Sequence, residues 1–238
     1  MSLYVIAVGG SLIVPEEIDT DFLSVFKQFI IKRIEKGDRF VLIAGGGKTA
    51  RKYQTSAAVV SGLDNEEKDW IGIHATRINA HLLRTVFKLW AHPRVIKDYE
   101  KDLVDIDFSE KILIGAGWKP GFSSDYDTVL MAKKFGATSI VNLSNTENVY
   151  TEDPRLSADA KKYESITWKD YRDLVPKEWD PGMSAPIDPI AAKLADENDL
   201  RVGMILGTKL GELNNFLDGK KISGTVIAND IKTKLIED

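Results

Sequence analysis

Between residues 41 and 54 the chain reads VLIAGGGKTARKYQ: an apolar run, three consecutive glycines, then a polar segment with Lys48, Arg51 and Lys52 at helical spacing. This pattern reads as strand, tight turn and helix, because an apolar run without alternation is a strand buried on both faces. Gly45, Gly46 and Gly47 remove every Cβ from the turn, so its backbone can take positive φ and its N–H groups can close on an anion where the helix begins. The helix dipole adds roughly half a positive charge at that point, and Lys48 and Arg51 add whole ones. A phosphate group suits such a turn. A plain strand-to-helix connection with solvated basic residues on its rim uses the same letters, so the phosphate reading depends on whether other loops join this one.

Three further loops of the same kind follow from the sequence. Residues 3–8, LYVIAV, form a buried strand ending in Gly9-Gly10-Ser11. A strand at Lys111–Ile114 runs into Gly115-Ala-Gly-Trp-Lys-Pro-Gly121 and then Ser123-Ser124-Asp125, an N-cap followed by a helix. A fourth strand, Ser139–Leu143, leads into a polar loop from Ser144 to Pro154. Loops at the ends of parallel strands share one edge of the sheet, where open α/β sheets bind ligands. The convergence carries more weight than any one motif.

The intervening segments supply crossover helices. Asp19–Gly37 places Phe22, Val25, Phe26, Phe29, Ile30 and Ile34 on one stripe, so residues 3–54 make β-α-β-α with right-handed parallel connections. Asn65–Trp90 reads as one long helix with Trp70, Ile73, Ile78, Leu82, Val86 and Leu89 on or near one face. His74 and His81 share a face of it, but with no third ligand at a zinc-like spacing they read as ordinary histidines, and no metal site is expected. Residues 93–111 read as connections with a short strand near Arg94–Ile96. Residues 155–181 read as a hairpin or flap over the loop edge. A helix opened by Pro186, Asp188 and Pro189, a strand at Val202–Leu206, a helix at Leu210–Asp218 and a strand near Gly224–Ile227 complete the chain.

The 238 residues suffice for one large α/β domain or two lobes sharing a sheet. With 32 basic and 36 acidic side chains, for a net charge of −4, there is no global basic field and nucleic acid is not expected as a partner. Absence of Cys excludes disulfides, thiolate metal sites and a cysteine nucleophile, and fits a cytoplasmic protein. The first ten residues have no basic n-region, and their apolar run is too short to span a bilayer, so no membrane association is expected.

The sequence resembles the amino acid kinase family, and within it the archaeal-type uridylate (UMP) kinases, over nearly its whole length. The resemblance is carried by GGSLIVPE at 9–16, AGGGKTARKY at 44–53, KDWIGI at 68–73, GWKPGFSSD at 117–125, SNTENVYTEDP at 144–154 and IDPIAAK at 187–193. It implies a three-layer α/β/α sandwich with a mainly parallel central sheet, the amino acid kinase or carbamate kinase-like fold. Its N-terminal lobe (about 1–135) would bind the acceptor and its C-terminal lobe (about 136–238) ATP. It implies transfer of the γ-phosphoryl group of ATP, with Mg²⁺, to UMP, and a homo-oligomer, often a hexamer.

By matching motif, the resemblance places Gly9, Gly10, Ser11, Gly47, Arg51, Ser144, Asn145, Tyr150 and Asp153 at ATP. It places Gly45, Gly46, Asp69 and the loop Trp118, Lys119, Pro120, Gly121, Phe122, Ser123 and Ser124 at UMP, with Lys48, Arg51 and Asp125 as the catalytic set. Such chemistry is positioning and charge neutralisation rather than covalent catalysis. The chain departs from the family pattern at Ala7, where many amino acid kinases carry Lys and the archaeal-type UMP kinases do not. It departs again at Glu147-Asn148, which stand for Asp-Gly; Asn tolerates the left-handed region best among non-glycine residues. Two other readings stay open on the sequence: the same fold with another acceptor, such as a carboxylate, a carbamate or a different phosphate, and a nucleotide-binding regulator without turnover.

Overall fold

A computed structural model describes residues 2–104, 106, 108–154, 156–178 and 185–231. The elements run β1 (Leu3–Val8), α1 (Gly10–Ile13), α2 (Thr20–Glu35), β2 (Arg39–Ala44), α3 (Gly47–Ser61), α4 (Asn65–Val86), β3 (Ala91–Ile96), β4 (Ile112–Gly115), α5 (Ser124–Phe135) and β5 (Ser139–Ser144). They continue with β6 (Val149–Tyr150), β7 (Lys162–Tyr163), β8 (Ser165–Ile166), α6 (Trp168–Leu174), α7 (Pro189–Glu197), β9 (Arg201–Leu206), α8 (Leu210–Leu217) and β10 (Thr225–Ile227). One eight-stranded sheet has the order β3-β4-β2-β1-β5-β9-β10-β8, and β6 and β7 form a separate antiparallel ribbon. All neighbours in the large sheet are parallel except β10 against β9.

The strands lack alternation because both faces are covered. Val5, Val41, Ile43, Leu113 and Ile140 enter a core with Val129, Met131, Trp168, Tyr171 and Ala191 of α5, α6 and α7. Their neighbours Ile6, Phe40, Leu42, Ile114 and Leu143 enter a second core with Phe26, Ile30, Leu83 and Leu213 of α2, α4 and α8. The result is the expected three layers. Side-chain caps fix where helices start: Asp19 accepts from Phe22 N at 2.8 Å, Asp64 from Glu67 N at 2.8 Å, and Asp188 from Ile190 N and Ala191 N at 2.8 and 2.9 Å.

The structure corrects three expectations. The helix from Asn65 ends at Val86 rather than Trp90, and its buried face is Ile73, Ala75, Thr76, Asn79, Ala80 and Leu83. Trp70, Ile78 and Leu89, placed on the apolar stripe by spacing, are 39%, 65% and 76% exposed. Leu83 of the inward face enters the second core against the sheet, and much of the rest is small or polar because Thr76 and Asn79 hydrogen-bond to the loops there. In the 155–181 stretch, β7 belongs to the ribbon, but β8 joins the main sheet and α6 is core, with Trp168 and Tyr171 fully buried. Arg155 and residues 179–181 of that stretch lie outside the described residues. The strand expected near Arg94–Ile96 begins earlier, at Ala91.

Candidate active site

The loops after β1, β2, β4, β5 and β9 leave the sheet at one edge, because these five strands are mutually parallel. β1 lies between β2 and β5, so its glycine loop sits between those two strand ends, where the chain has gone first to one side and later to the other. Gly45 N donates to Val8 O at 2.9 Å and Gly9 N to Leu143 O at 2.8 Å, carrying the ladder up to the glycines. Gly207 N donates to Ser144 O at 2.7 Å. Asn79 of α4 donates to Gly45 O at 2.8 Å. These bonds hold the three loops after β1, β2 and β5 to one another.

The two glycine turns then touch backbone to backbone. A Cβ on Gly10 would lie 2.4 Å from Gly45 O and 2.5 Å from both Gly46 C and Gly47 N. A Cβ on Gly47, whose φ is +59°, would lie 2.3 Å from Gly10 C and 2.4 Å from Ser11 N. The glycines are needed first for this contact, which brings the N-termini of α1 and α3 together. Arg51 of α3 closes the junction by donating to Ser11 Oγ at 3.1 Å. Lys48, in contrast, is engaged with Glu16 at 2.5 Å, and Lys52 binds the same carboxylate at 2.9 Å. Gly9, Gly10, Ser11, Gly45, Gly46, Gly47, Lys48, Arg51 and Ser144 are therefore assembled at one place.

The loop after β4 is gripped by α4. Asp69 Oδ2 accepts from Gly121 N at 2.8 Å, Thr76 Oγ1 accepts from Gly117 N at 2.7 Å, and Arg77 donates to Gly117 O and Trp118 O at 3.3 and 2.9 Å. Along that loop Trp118 and Phe122 stack with centroids 5.4 Å apart, Phe122 meets Tyr126 at 4.6 Å, and the Lys119 ammonium lies 3.8 Å from the centre of the Trp118 ring. Lys119 also pairs with Glu100 at 3.1 Å. Ser123 serves the fold: it caps α5, accepting from Asp125 N and Tyr126 N at 3.0 and 3.2 Å, and donates a short hydrogen bond to Asp188. Ser124 begins α5, and its carbonyl accepts from Thr128 Oγ1 at 2.7 Å.

Asp69 is thus a loop-holding group as well as a candidate nucleoside ligand, and one substitution separates the roles. Asn in its place keeps an acceptor for Gly121 N–H while losing the charge and one acceptor oxygen. Asp69→Asn is expected to raise the KM for UMP about ten-fold with the KM for ATP and the melting temperature little changed. Equal changes in both KM values would take Asp69 out of the acceptor site.

Three carboxyls lie behind this loop. Asp125, on the first turn of α5, lines a small cavity with Ala7, Thr128, Asn142 and Ile187, and accepts from Asp188 N at 3.4 Å. Burial, reinforced by the charge of Asp188, pushes Asp125 up to about 7. Burial likewise raises Asp188, and raises Asp127 well above the usual carboxylate range. Asp127 is fully buried and neither of its oxygens has a partner in hydrogen-bond geometry. The departure at Ala7 contributes here: a methyl group faces the cavity where a lysine would bring a cation.

The departure at residues 147–148 resolves differently from the sequence expectation. Asn148 does not use the left-handed region; Asp199, with φ 50°, is the non-glycine residue with positive φ among those described. Instead its buried amide donates to Ser223 O at 3.1 Å and Thr225 Oγ1 at 3.3 Å, tying the loop after β5 to β10. Glu147 pairs with Lys209 at 2.6 Å and accepts from Ser223 Oγ at 2.8 Å, which holds it below the usual carboxylate range. Asn145 is exposed on this loop, Tyr150 lies on the β6–β7 ribbon, and the Asp153 carbonyl accepts from Leu156 N and Ser157 N at the ribbon's turn. The ribbon's candidates therefore stand one element away from the glycine junction.

Sequence reading missed Glu16, Thr76, Arg77, Asn79, Asp127 and the site role of Asp188. Asp188 was visible only as a helix opener; its bond to Ser123 crosses 65 residues, which no local pattern reports.

A parallel α/β sheet with glycine turns, helix N-termini and an arginine gathered at the carboxyl edge defines a phosphate-handling protein of the nucleotide-binding kind. Residues 2–205 match the model of the amino acid kinase family. The uridylate kinase of Methanocorpusculum labreanum is 31% identical over 96% of this chain and 97% of its own. That of Thermococcus gammatolerans is 35% identical over 92% and 96%. The crystal structure of the uridylate kinase from Archaeoglobus fulgidus superposes with a TM-score of 0.78 at 27% identity, covering 96% of this chain and all of its own. The chain belongs to the amino acid kinase family.

Proposed function

We propose that this chain transfers the γ-phosphoryl group of Mg-ATP to the phosphate of UMP, giving UDP, in cytoplasmic pyrimidine nucleotide biosynthesis. The observation that carries the reading is the contact between the two glycine turns, bridged by Arg51 and Ser11. It offers two phosphate cradles side by side. The relatives named above support UMP as acceptor and ATP as donor.

In this reading a UMP phosphate oxygen attacks the γ-phosphorus as the bond to the β-bridging oxygen breaks, and ADP leaves with the released electron pair. Gly10, Ser11 and Gly47 hold the donor phosphates with Ser144, and Tyr150, Asn145 and Asp153 border the nucleoside. Gly45, Gly46 and the α4-gripped loop from Trp118 to Ser124 hold UMP. Arg51 and Lys48 neutralise the equatorial oxygens of the moving group. Asp125 keeps its proton up to about 7, so it can donate to a phosphate oxygen that an ionised acid would repel. Mg²⁺ arrives as part of the Mg-ATP substrate, carried by phosphate oxygens; among the described residues no His/Cys/Asp/Glu group is arranged to hold a metal of its own. Residues to about 135 form the acceptor lobe and those beyond it the ATP lobe.

The chain also assembles as a homo-oligomer, a hexamer in this proposal. Support comes from α3 and α4, where Val59 and Val60 are both 82% exposed, Tyr53 68% and Ile78 65%, large apolar side chains that a partner copy would cover.

The deciding experiment is coupled ADP release with Mg-ATP across UMP, CMP, dUMP, acetylglutamate and carbamate. UMP is expected to turn over fastest. Binding of ATP with no ADP release on UMP would sink the kinase reading in favour of a regulator.

A further inference from the structure

Glu16 is held by two lysines of α3. It lies in the connection between α1 and α2, which is anchored by Val14 N to Gly10 O and Asp19 N to Ile13 O, both 2.9 Å. From there its two carboxylate oxygens are divided between two lysines of α3: Oε1 takes Lys48 at 2.5 Å and Oε2 takes Lys52 at 2.9 Å. The lysines are four apart, on one face of the helix, and Lys52 also reaches the Glu16 carbonyl at 3.4 Å. Between them on the helix is Arg51, at Ser11. One acid thus draws two of the three cations that front the N-terminus of α3, across 32 and 36 residues of sequence.

We propose that Glu16 is a built-in counter-ion of the phosphate site: it holds Lys48 and Lys52 until the phosphoryl groups of a nucleoside triphosphate displace it, and so sets the site against single small anions. The inference rests on the reading of the glycine junction as a polyphosphate site. All three partners are solvent-exposed, with side-chain exposures of 66% for Glu16, 43% for Lys48 and 60% for Lys52. Exposed pairs of this kind contribute little and exchange readily, as a displaceable partner must. The two ammonium groups also hold the Glu16 carboxyl down at about 2, so it stays charged throughout the working range. An inorganic phosphate must compete with this intramolecular carboxylate for each lysine. A polyphosphate engages the glycine N–H groups and Arg51 as well, and its added contacts outweigh the one carboxylate.

The test is calorimetric titration of tripolyphosphate and inorganic phosphate into the full chain, its Glu16→Gln variant, the Lys48→Gln/Lys52→Gln double variant and the triple variant, with melting temperatures as controls. Glu16→Gln is expected to bind both anions more tightly, inorganic phosphate by roughly ten-fold and tripolyphosphate by roughly three-fold, and to lower the KM for ATP. The gain should vanish in the triple variant. If the lysine pair weakens tripolyphosphate while Glu16→Gln leaves it unchanged or weaker, the counter-ion role is overturned and the anion site stands. If neither set of variants alters anion binding while ADP release on UMP persists, the lysines are outside the site and the proposal fails without touching the kinase reading.

Discussion

Gly47→Ala is expected to lower turnover by about 100-fold or more while the protein still folds. Two costs meet at this position. An alanine at φ +59° bears the left-handed strain of a non-glycine residue, roughly 1–2 kcal/mol. Its Cβ would also lie 2.3 and 2.4 Å from Gly10 C and Ser11 N. These are backbone atoms, so no rotamer change relieves them and the two loops must move apart. A shift near 1 Å between the two glycine turns is enough to lose the aligned geometry on which the proposed phosphoryl transfer depends. Gly62 separates the two costs, because it has φ +66° but nothing within 4 Å of its would-be Cβ. Gly62→Ala should lower stability by the strain alone and leave kcat within about two-fold. Gly10→Ala, which meets Gly45 O at 2.4 Å with no positive φ involved, should resemble Gly47→Ala in turnover. If Gly47→Ala keeps wild-type turnover, the junction of the glycine loops is not where the reaction occurs.

The glycine junction also shows what a sequence can and cannot disclose. The strands leading into it are legible because burial on both faces writes itself as an unbroken apolar run, as in residues 40–44. Helix starts are legible where one side chain does the capping, at Asp19, Ser123 and Asp188. That Gly10 and Gly47 need each other is not legible, since each glycine alone reads as a turn. Helix α4 misleads for a related reason: its work is done by Thr76, Arg77 and Asn79, whose partners are Gly117, Trp118 and Gly45. Spacing counts apolar residues, and there Trp70 and Ile78 face outward while polar side chains reach the loops. At residue 148 the sequence suggests only the backbone conformation a glycine would have, whereas Asn148 contributes through its side-chain amide. In each case the missing information is a contact between segments far apart in the chain.

The carboxyl trio behind the loop after β4 gives the second large effect. Asp127 is fully buried, its oxygens lack a partner in hydrogen-bond geometry, and burial raises it well above the usual range. The groups facing it are Asp125 on its own helix, Asp188 at the start of α7, Arg77 of α4, the Trp118 backbone N–H, and Tyr99 beyond β3; of these, the N–H and Arg77 favour its charged form, and burial outweighs them. A carboxyl whose folded pKa exceeds its unfolded value binds its proton more tightly in the native state. Below the unfolded value, ~3.9, both states are protonated and nothing is lost. As pH rises past that value the unfolded chain ionises first, and stability falls until the folded carboxyl also ionises. Asp125, raised to about 7, and Asp188 push in the same direction. The protein should therefore melt lower at pH 8 than at pH 5. Asp127→Asn removes the ionisable group at nearly constant shape, and its amide can both donate and accept. It is expected to stabilise the protein at pH 8 by about 1–3 kcal/mol, a rise of roughly 3–10 °C in midpoint for a chain of this size, with little change at pH 4. Calorimetric melting from pH 4 to 8 decides the matter: a midpoint lowered equally at every pH would mean that Asp127 holds a favourable partner as a carboxylate, and that the burial of its charge is compensated.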